Sequence, residues 1–243
     1  MNVEIKLPYP VEFNIRDKVH LSFLNADSND PLLSILRRFS AENTAFLDIG
    51  SNIGFYTYFY LMMGDGNKAF SFEPNPSVVK LLKTNIGNIA SSIFEIAVSD
   101  SSGKTYFYFD EDKSGRGSLE RNYFRNKIEV TKDRLDNVLP INKMKFDKFI
   151  IKIDVEEHEP LVLKGMSGWL YDKRPKLIYL EARPDTIDEI FGILKVYGYK
   201  IVDERLRFLN DQKTHDYVTE IKRKKYTNIA FVNDINVFKE GRQ

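Results

Sequence analysis

A glycine-punctuated turn between an apolar segment and a helical segment is the feature that most constrains the fold of this chain. The segment AFLDIGSNIGFY spans residues 45–56, and Glu73 ends the next apolar segment, 25 residues after Asp48. In parallel α/β sheets such a turn brings the backbone close to a ligand, and an acidic side chain about 20 residues on accepts hydrogen bonds from ribose hydroxyls. The sequence therefore predicts a nucleoside-binding crevice.

The positions of glycine within this turn indicate which nucleoside to expect. Gly50 and Gly54 flank Asn52, so the middle glycine that lets a backbone touch a pyrophosphate in the dinucleotide fingerprint is missing. A ligand without phosphates fits better, and S-adenosylmethionine is such a ligand. Its ribose would reach Glu73, and its amino acid carboxylate could lie near the backbone donors where the helix begins.

The composition restricts the classes of function that fit this chain. A length of 243 residues is ordinary for one α/β domain and allows a substantial core, so we expect a single domain over 1–243. Lysine and arginine total 36 against 35 aspartate and glutamate residues, so no global field favours nucleic acid or an anionic membrane as partner. The absence of cysteine excludes disulfides, thiolate nucleophiles and cysteine zinc sites.

The sequence also lacks the usual signals for membrane insertion or export. The N-terminal residues MNVEIKLPYPVEF contain neither a basic n-region nor an apolar h-region. The longest apolar stretch, near 53–63, is too short to cross a bilayer. We therefore expect no membrane span and take a cytoplasmic location as the default.

Apolar segments bounded by turn residues alternate with segments of helical period, which predicts a mostly parallel sheet with helices on both faces. Residues 1–44 are expected to form a β-rich leader, at 3–23, and a helix capped by Asp30 that runs to about Phe39. The core at 45–182 contains a hairpin-like insertion at 103–134, and 183–243 completes the sheet. We expect seven strands, at 45–49, 68–73, 92–100, 148–156 and 175–182 and in the segments YKIVDE and NIAFVN, with helices at about 54–63, from 76 and at about 185–197.

Four motifs carry a family resemblance in their order and spacing. They are DIGSNIG at 48–54, FEPNP at 72–76, AVSD at 97–100, and IKIDVEEHE at 151–159 with VLKG at 162–165. Together they resemble the FkbM family of S-adenosylmethionine-dependent methyltransferases over roughly 46–181. The resemblance implies a Rossmann-like class I methyltransferase fold whose last strand is antiparallel, and O-methylation of sugars, glycans or polyketide-like products. The family often has a glycine where Glu157 stands.

Seven residues of the first three motifs are candidates for binding the cofactor. Glu73 is predicted to bind both ribose hydroxyls. Asp48 holds either the backbone of the turn or the ammonium group of the ligand. Asp100 is either an acceptor for the adenine amine, at the strand end where this fold normally holds adenine, or an ordinary aspartate at a turn. The full set is Asp48, Gly50, Asn52, Gly54, Glu73, Ala97 and Asp100.

The fourth motif carries the candidates for proton removal. Methyl transfer to a hydroxyl requires alignment of the reacting atoms and a base for the hydroxyl proton. His158 is favoured by an intrinsic pKa near neutrality, with Asp154 and Glu156 as rivals whose pKa burial could raise.

A metal ion is a weaker prediction. Glu181, at the end of the following strand, could share a divalent ion with Asp154. Oxygen ligands suit magnesium or manganese, which would acidify a bound hydroxyl. Two carboxylates are not a defined ligand set, so we assign no metal site.

Acceptor specificity is expected to come from segments added to the common sheet. The insertion combines the aromatic residues 106–109 with SGRGS, and the tail at 207–226 adds His215, Tyr217 and the basic run at 222–225. Both could form a lid, although an aromatic strand more often packs on its sheet and a basic run is more often a solvated face.

These observations lead to an O-methyltransferase acting on a sugar or glycan. A nucleic-acid methyltransferase is disfavoured because base amino-methylation commonly uses an Asn/Asp-Pro-Pro-aromatic motif, which IDVEEHE does not resemble, and because the net charge is near zero. A non-catalytic binding module is the other alternative, since a fold alone does not establish activity.

Overall fold

The computed structural model describes residues 30–40, 43–87, 91–110, 114–203 and 207–233. The predicted leader at 3–23 lies outside the described residues. Helix α1 (Pro31–Phe39) begins as predicted, because the side chain of Asp30 accepts a hydrogen bond from the amide of Leu33 at 2.9 Å and proline occupies the first turn.

The main sheet has seven strands in the order β3-β2-β1-β7-β8-β10-β9. Neighbouring strands are parallel from β3 to β8, whereas β10 runs antiparallel to both β8 and β9. This is the class I methyltransferase fold that the motifs predicted, including its antiparallel last strand. The strands are β1 (Thr44–Ile49), β2 (Lys68–Phe72), β3 (Ser91–Phe94), β7 (Lys148–Ile153), β8 (Pro175–Ala182), β9 (Lys200–Val202) and β10 (Thr227–Val232).

Strands β1 and β7 form the centre of this sheet. Every residue of β1 is buried, and so is every residue of β7 after Lys148, as expected for parallel strands covered on both faces. One face packs on a cluster that includes Phe149 and Trp169, and the other on a cluster that includes Phe46 and Tyr60. The two apolar layers leave the carboxyl ends of the strands as the open edge.

Seven further α-helices in the described residues connect or cover these strands. None of the helices in the described part of the chain has the length and apolar composition that a bilayer span requires. They are α2 (Phe55–Met62), α3 (Pro76–Ile86), α4 (Leu135–Val138), α5 (Glu159–Gly165), α6 (Ser167–Asp172), α7 (Ile187–Val196) and α8 (Asp211–Ile221).

The prediction of one continuous third strand at 92–100 is wrong. The segment divides into β3, which pairs with β2 in the main sheet, and β4 (Ala97–Val98). Strand β4 pairs with β6 (Asn126–Asp133) in a second sheet. The amide of Ser99 also donates to the carbonyl of Asp133 at 2.8 Å. The insertion therefore takes up the backbone hydrogen-bonding groups that a longer β3 would have used in the main sheet.

The insertion forms a small separate sheet in the order β4-β6-β5. Strands β5 (Gly103–Phe109) and β6 (Asn126–Asp133) pair antiparallel over their full length, which agrees with the expected hairpin. Ala97, Phe107 and Val130 form a small apolar cluster beneath it. All three residues belong to the small sheet, which β4 joins to the main sheet because it begins three residues after β3 ends.

Candidate active site

A cavity of about 780 Å³ lies at the carboxyl ends of β1, β2, β7 and β8, the edge where open α/β sheets bind ligands. The insertion and two residues of the tail also line it. Three of the predicted residues, Asp48, Gly54 and Asp100, lie outside the lining. The predicted residues that line the cavity are Gly50, Asn52, Glu73, Ala97, Asp154, Glu156, His158 and Glu181.

The glycine turn is shaped by close packing against the chain itself. Gly50 has φ of +76°, and a Cβ atom there would lie 2.0 Å from the carbonyl oxygen of Asp154. Gly54 has φ of +83°, and its Cβ would lie 2.7 Å from Leu82 Cδ1. Both positions require glycine because of conformation and space. Asn52 between them also has a positive φ, of 49°, which asparagine tolerates better than most residues.

Glu73 is held rigidly at the end of β2. Its Oε2 accepts a hydrogen bond from the amide of Asn52 at 3.0 Å, and its Oε1 accepts one from the amide of Asn75 at 2.9 Å. Burial raises the pKa of Glu73 to about 7, although these two amides act in the opposite direction. Each oxygen still has a lone pair for a hydroxyl donor. The residue therefore fits the diol of a ribose.

Lys152 is a site residue that the sequence interpretation missed. Its Nζ donates to the carbonyl of Gly50 at 2.8 Å and lies 3.2 Å from Asp48 Oδ1 and 3.6 Å from Asp154 Oδ2. Burial disfavours its charge, but Asp48 and Asp154 outweigh this effect and raise its pKa. Asp48 is fully buried and also accepts from Thr57 Oγ1 at 2.8 Å. A lysine within the most apolar strand was the signal that could have identified this pair.

The turn after β7 has an unusual backbone. Glu156 and Glu157 have φ values of +56° and +84°, and for residues other than glycine such conformations cost about 1–3 kcal/mol each. Glu157 stands where the family often has glycine, and it adopts a conformation that suits glycine. Arg121 and Arg183 lie 2.5 and 2.7 Å from Glu156 Oε2, and Arg121 Nη2 lies 3.0 Å from Glu157 Oε1. These ion pairs stabilise the turn.

Arg183 also pairs with two of the three carboxylates that could hold a metal ion. One oxygen each of Asp154, Glu156 and Glu181 lie within 4.8 Å of one another. However, Arg183 Nη2 lies 2.7 Å from Glu156 Oε2 and 2.9 Å from Glu181 Oε1. Burial, together with Asp154 and Glu156, raises the pKa of Glu181 to about 7. A guanidinium already balances this cluster, so the arrangement does not fit a divalent ion.

His158 connects three segments of the chain. Its Nδ1 lies 2.6 Å from Glu120 Oε1 in the insertion, and its Nε2 lies 3.0 Å from Ser99 Oγ. Ser99 is fully buried and His158 is only 4% exposed. Burial lowers the pKa of His158, against the opposing effect of Glu120. Since both ring nitrogens already have protein partners, the geometry suits an anchor better than a base.

Asp154 is the most accessible of the three candidate bases. Its side chain is 42% exposed, compared with 12% for Glu156 and 5% for His158. Glu156 is bound by two guanidinium groups, whereas Asp154 pairs with Lys152 and lines the cavity. Of the three candidates, Asp154 is therefore the carboxylate that a molecule in the cavity could reach most easily.

The end of the predicted third strand, 97–100, contributes an apolar wall to the cavity rather than a carboxylate. Ala97 lines the cavity with Phe72 and Val98. The carboxylate of Asp100 accepts instead from Ser101 Oγ at 2.8 Å and from Ser99 Oγ at 3.3 Å. Asp100 is thus engaged within its own turn.

Parts of the insertion and the tail enclose the cavity. Of the four aromatic residues at 106–109, Phe107 lines it; in the tail, Lys225 and Tyr226 do so, whereas His215 and Tyr217 do not. Arg183 lies over the ring of Tyr226, 5.7 Å from its centroid. The other lining residues of the insertion are Gly115, Arg116, Gly117, Leu119, Arg121, Tyr123 and Phe124.

This chain is similar in sequence to a known methyltransferase. The hexuronic acid methyltransferase AglP of Haloferax volcanii is 24% identical over 157 residues, which cover 65% of this chain and 64% of that protein. The chain thus spans less than two thirds of the length of this relative.

Solved structures were also similar. Fibrillarin of Aeropyrum pernix with bound S-adenosyl-L-methionine has 13% identity and a TM-score of 0.45, with 83% of this chain and 73% of that chain covered. The tRNA (uracil-54, C5)-methyltransferase of Pyrococcus abyssi with S-adenosyl-L-homocysteine has 16% identity and a TM-score of 0.38, with 75% and 33% covered. The model of the methyltransferase FkbM domain matches residues 48–201, most of the chain. The glycine turn, Glu73 and the turn after β7 all lie inside this match, and the chain belongs to the FkbM methyltransferase family.

Proposed function

We propose that this protein transfers the methyl group of S-adenosylmethionine to a hydroxyl of an acidic sugar, free or within a glycan. The observation that carries the proposal is the position of Glu73, a carboxylate fixed by two backbone amides on the wall of the cavity. Family membership supports methyl transfer, and the name of the Haloferax relative supports a sugar acid as the acceptor.

Each part of the cofactor would meet a suitable group of the chain. Glu73 accepts from the ribose hydroxyls, and the apolar wall of Phe72, Ala97 and Val98 covers the adenine. The amino acid carboxylate of the cofactor would lie near the backbone amides where α2 begins. When bound, the cofactor supplies a methyl group that the sulfonium has already activated.

The chain itself has to orient the acceptor and remove its proton. Asp154 is the proposed base, because its carboxylate is accessible from the cavity and Lys152 restrains it at 3.6 Å. In this role it takes the hydroxyl proton as the oxygen attacks the methyl carbon. Glu156 and His158, both engaged with protein partners, support the shape of this edge.

Two cations at the outer part of the cavity favour a negatively charged acceptor. Arg116 in the insertion and Lys225 in the tail are exposed and line the cavity. Neither has a carboxylate partner within the described part of the chain, unlike Arg121 and Arg183. Inside the cavity, by contrast, Arg121, Arg183 and Lys152 are each paired with carboxylates. Arg116 and Lys225 are therefore the lining cations that an acidic sugar could pair with.

The test compares matched acceptors. The protein is incubated with S-adenosylmethionine and either a methyl glucuronoside, a methyl glucoside or an RNA oligonucleotide, and release of S-adenosylhomocysteine is measured together with the mass of the product. We expect methylation of the glucuronoside, with a KM for this acceptor that rises about three- to tenfold in Arg116→Ala. Equal rates on both sugars would refute the preference for an acidic acceptor. Methylation of RNA alone would refute a sugar as the acceptor. Cofactor binding without turnover across a broad glycan panel would indicate a binding module.

A further inference from the structure

Three residues of the insertion segment 118–121 contact three consecutive residues of the turn after β7, 156–158; they are Ser118, Glu120 and Arg121. Ser118 Oγ donates to the carbonyl of Glu156 at 2.5 Å. Glu120 Oε1 lies 2.6 Å from His158 Nδ1. Segments that are far apart in sequence thus meet through backbone and side-chain contacts.

Arg121 makes the most extensive of these contacts. Its Nε and Nη2 donate to Glu157 Oε1 at 3.2 and 3.0 Å, and Nη2 lies 2.5 Å from Glu156 Oε2. The residue is only 5% exposed, so solvent screens these pairs weakly. A planar guanidinium can bind two carboxylates at once in a fixed geometry.

The contacting segment is itself fixed on the insertion. The amide and carbonyl of Ser118 exchange hydrogen bonds with those of Tyr108 at 3.0 and 2.9 Å. The amide of Glu120 donates back to Ser118 Oγ at 3.0 Å. Residues 118–121 are therefore held on β5 and can act as a rigid template.

We propose that residues 118–121 form a positioning clamp, which holds Glu156 and Glu157 in their left-handed conformation and so fixes Asp154 at the cavity. Without the clamp, the preference of glutamate for negative φ would move the turn. The clamp also joins the acceptor-facing insertion to the edge that carries the proposed base. The insertion then serves catalysis as well as acceptor recognition.

The first experiment measures the conformation of the turn without any acceptor. Hydrogen–deuterium exchange is followed in peptides that contain 154–161, for wild type, Arg121→Ala, Arg121→Lys and Ser118→Ala. Arg125→Ala is the matched control, an exposed arginine of the same loop that does not line the cavity. We expect exchange to rise about tenfold in Arg121→Ala and less in Arg121→Lys, with no change in the control. Unchanged exchange in both Arg121→Ala and Ser118→Ala would overturn the clamp, whatever the acceptor is.

The second experiment uses glycine to separate positioning from acceptor binding, and it rests on the proposed function. In Arg121→Ala we expect kcat to fall about tenfold or more, with KM for the cofactor nearly unchanged. Adding Glu157→Gly should restore part of kcat, because glycine adopts this φ readily. If Arg121 instead contacts the acceptor, KM for the acceptor rises, kcat stays constant and glycine restores nothing. If Arg121→Ala does not fold, the same comparison is made with Ser118→Ala.

Discussion

The two halves that we propose for the cavity, one for the cofactor and one for the acceptor, are built in different ways. The cofactor half consists of the glycine turn and Glu73, whose carboxylate is fixed by backbone amides within 21 residues of it in sequence. The acceptor half depends on side-chain pairs between distant segments, such as Arg121 with Glu157, 36 residues apart. We therefore expect changes in the first half to reduce stability, and changes in the second half to reduce turnover or acceptor affinity.

The glycine turn gives the strongest test of this difference. In Gly50→Ala the new Cβ would lie 2.0 Å from the carbonyl of Asp154, in a backbone with φ of +76°. We expect a loss of more than about 4 kcal/mol in the free energy of unfolding, measured by urea denaturation. Gly66 is the matched control, because it also has positive φ, +107°, but no atom within 4 Å of a Cβ. Equal losses in Gly50→Ala and Gly66→Ala would show that packing of Gly50 against the residues after β7 is unimportant.

Substitution of the proposed base, Asp154, is the corresponding test of the acceptor half. We expect Asp154→Asn to lower kcat by about 10²- to 10⁴-fold, because the hydroxyl proton loses its acceptor. Affinity for S-adenosylhomocysteine, measured by calorimetry, should change little. Asp188→Asn provides an exposed control. A larger loss of kcat in His158→Gln than in Asp154→Asn would return the role of base to His158.

Lys152 lies between the two halves and should affect both. Lys152→Met leaves the fully buried Asp48 without its cation, and breaking a buried pair in this way costs about 3–5 kcal/mol of stability. The double variant Asp48→Asn with Lys152→Met should recover part of this loss, because no unpaired charge remains. Thermal and urea unfolding measure both variants. A double variant less stable than Lys152→Met would contradict the pairing.

The pH dependence of cofactor binding tests whether Glu73 binds the ribose. Burial raises its pKa to about 7, so in the free protein the carboxyl group loses its proton as the pH rises through this value. Ribose hydroxyls donate best to the ionised form, and affinity should therefore rise up to about tenfold between about pH 6 and pH 8. Calorimetry at several pH values measures this rise, and Glu73→Gln should abolish it. An affinity that falls over this range would contradict the assignment.

Stability should follow the opposite trend, because Glu73 binds a proton more tightly in the folded protein than in the unfolded chain. The free energy of unfolding then decreases as the pH rises from the ordinary pKa of glutamate to about 7, and levels off above it. Glu73→Gln should make the decrease smaller in urea denaturation.

The parts of the molecule that were predictable from sequence are those with local signals. Alternating apolar and helical segments predicted the main sheet, and the family resemblance carried by four ordered motifs implied its antiparallel last strand. The spacing of Gly50, Gly54 and Glu73 predicted a crevice whose walls include Gly50 and Glu73. Asp30 and Pro31 predicted the start of α1, because a cap acts within a few residues.

The remaining features depend on contacts that no local pattern specifies. The division of 92–100 between two sheets follows from pairing with β6, about 35 residues later. Helix α8 was not predicted. Ile221 is its one buried residue among those described, so the segment shows little apolar periodicity. The partners of His158, Glu120 and Ser99, lie in two other segments, so its intrinsic pKa was a poor guide to its role.

Titration calorimetry with S-adenosylmethionine, S-adenosylhomocysteine and NAD is the most direct test of a crevice built for an adenosyl ligand without a pyrophosphate. If the crevice has this specificity, both adenosyl compounds bind to the wild type and NAD does not compete with them. Glu73→Gln then weakens the binding of both compounds by about tenfold or more. Tight binding of NAD, with no heat from either adenosyl compound, would contradict it.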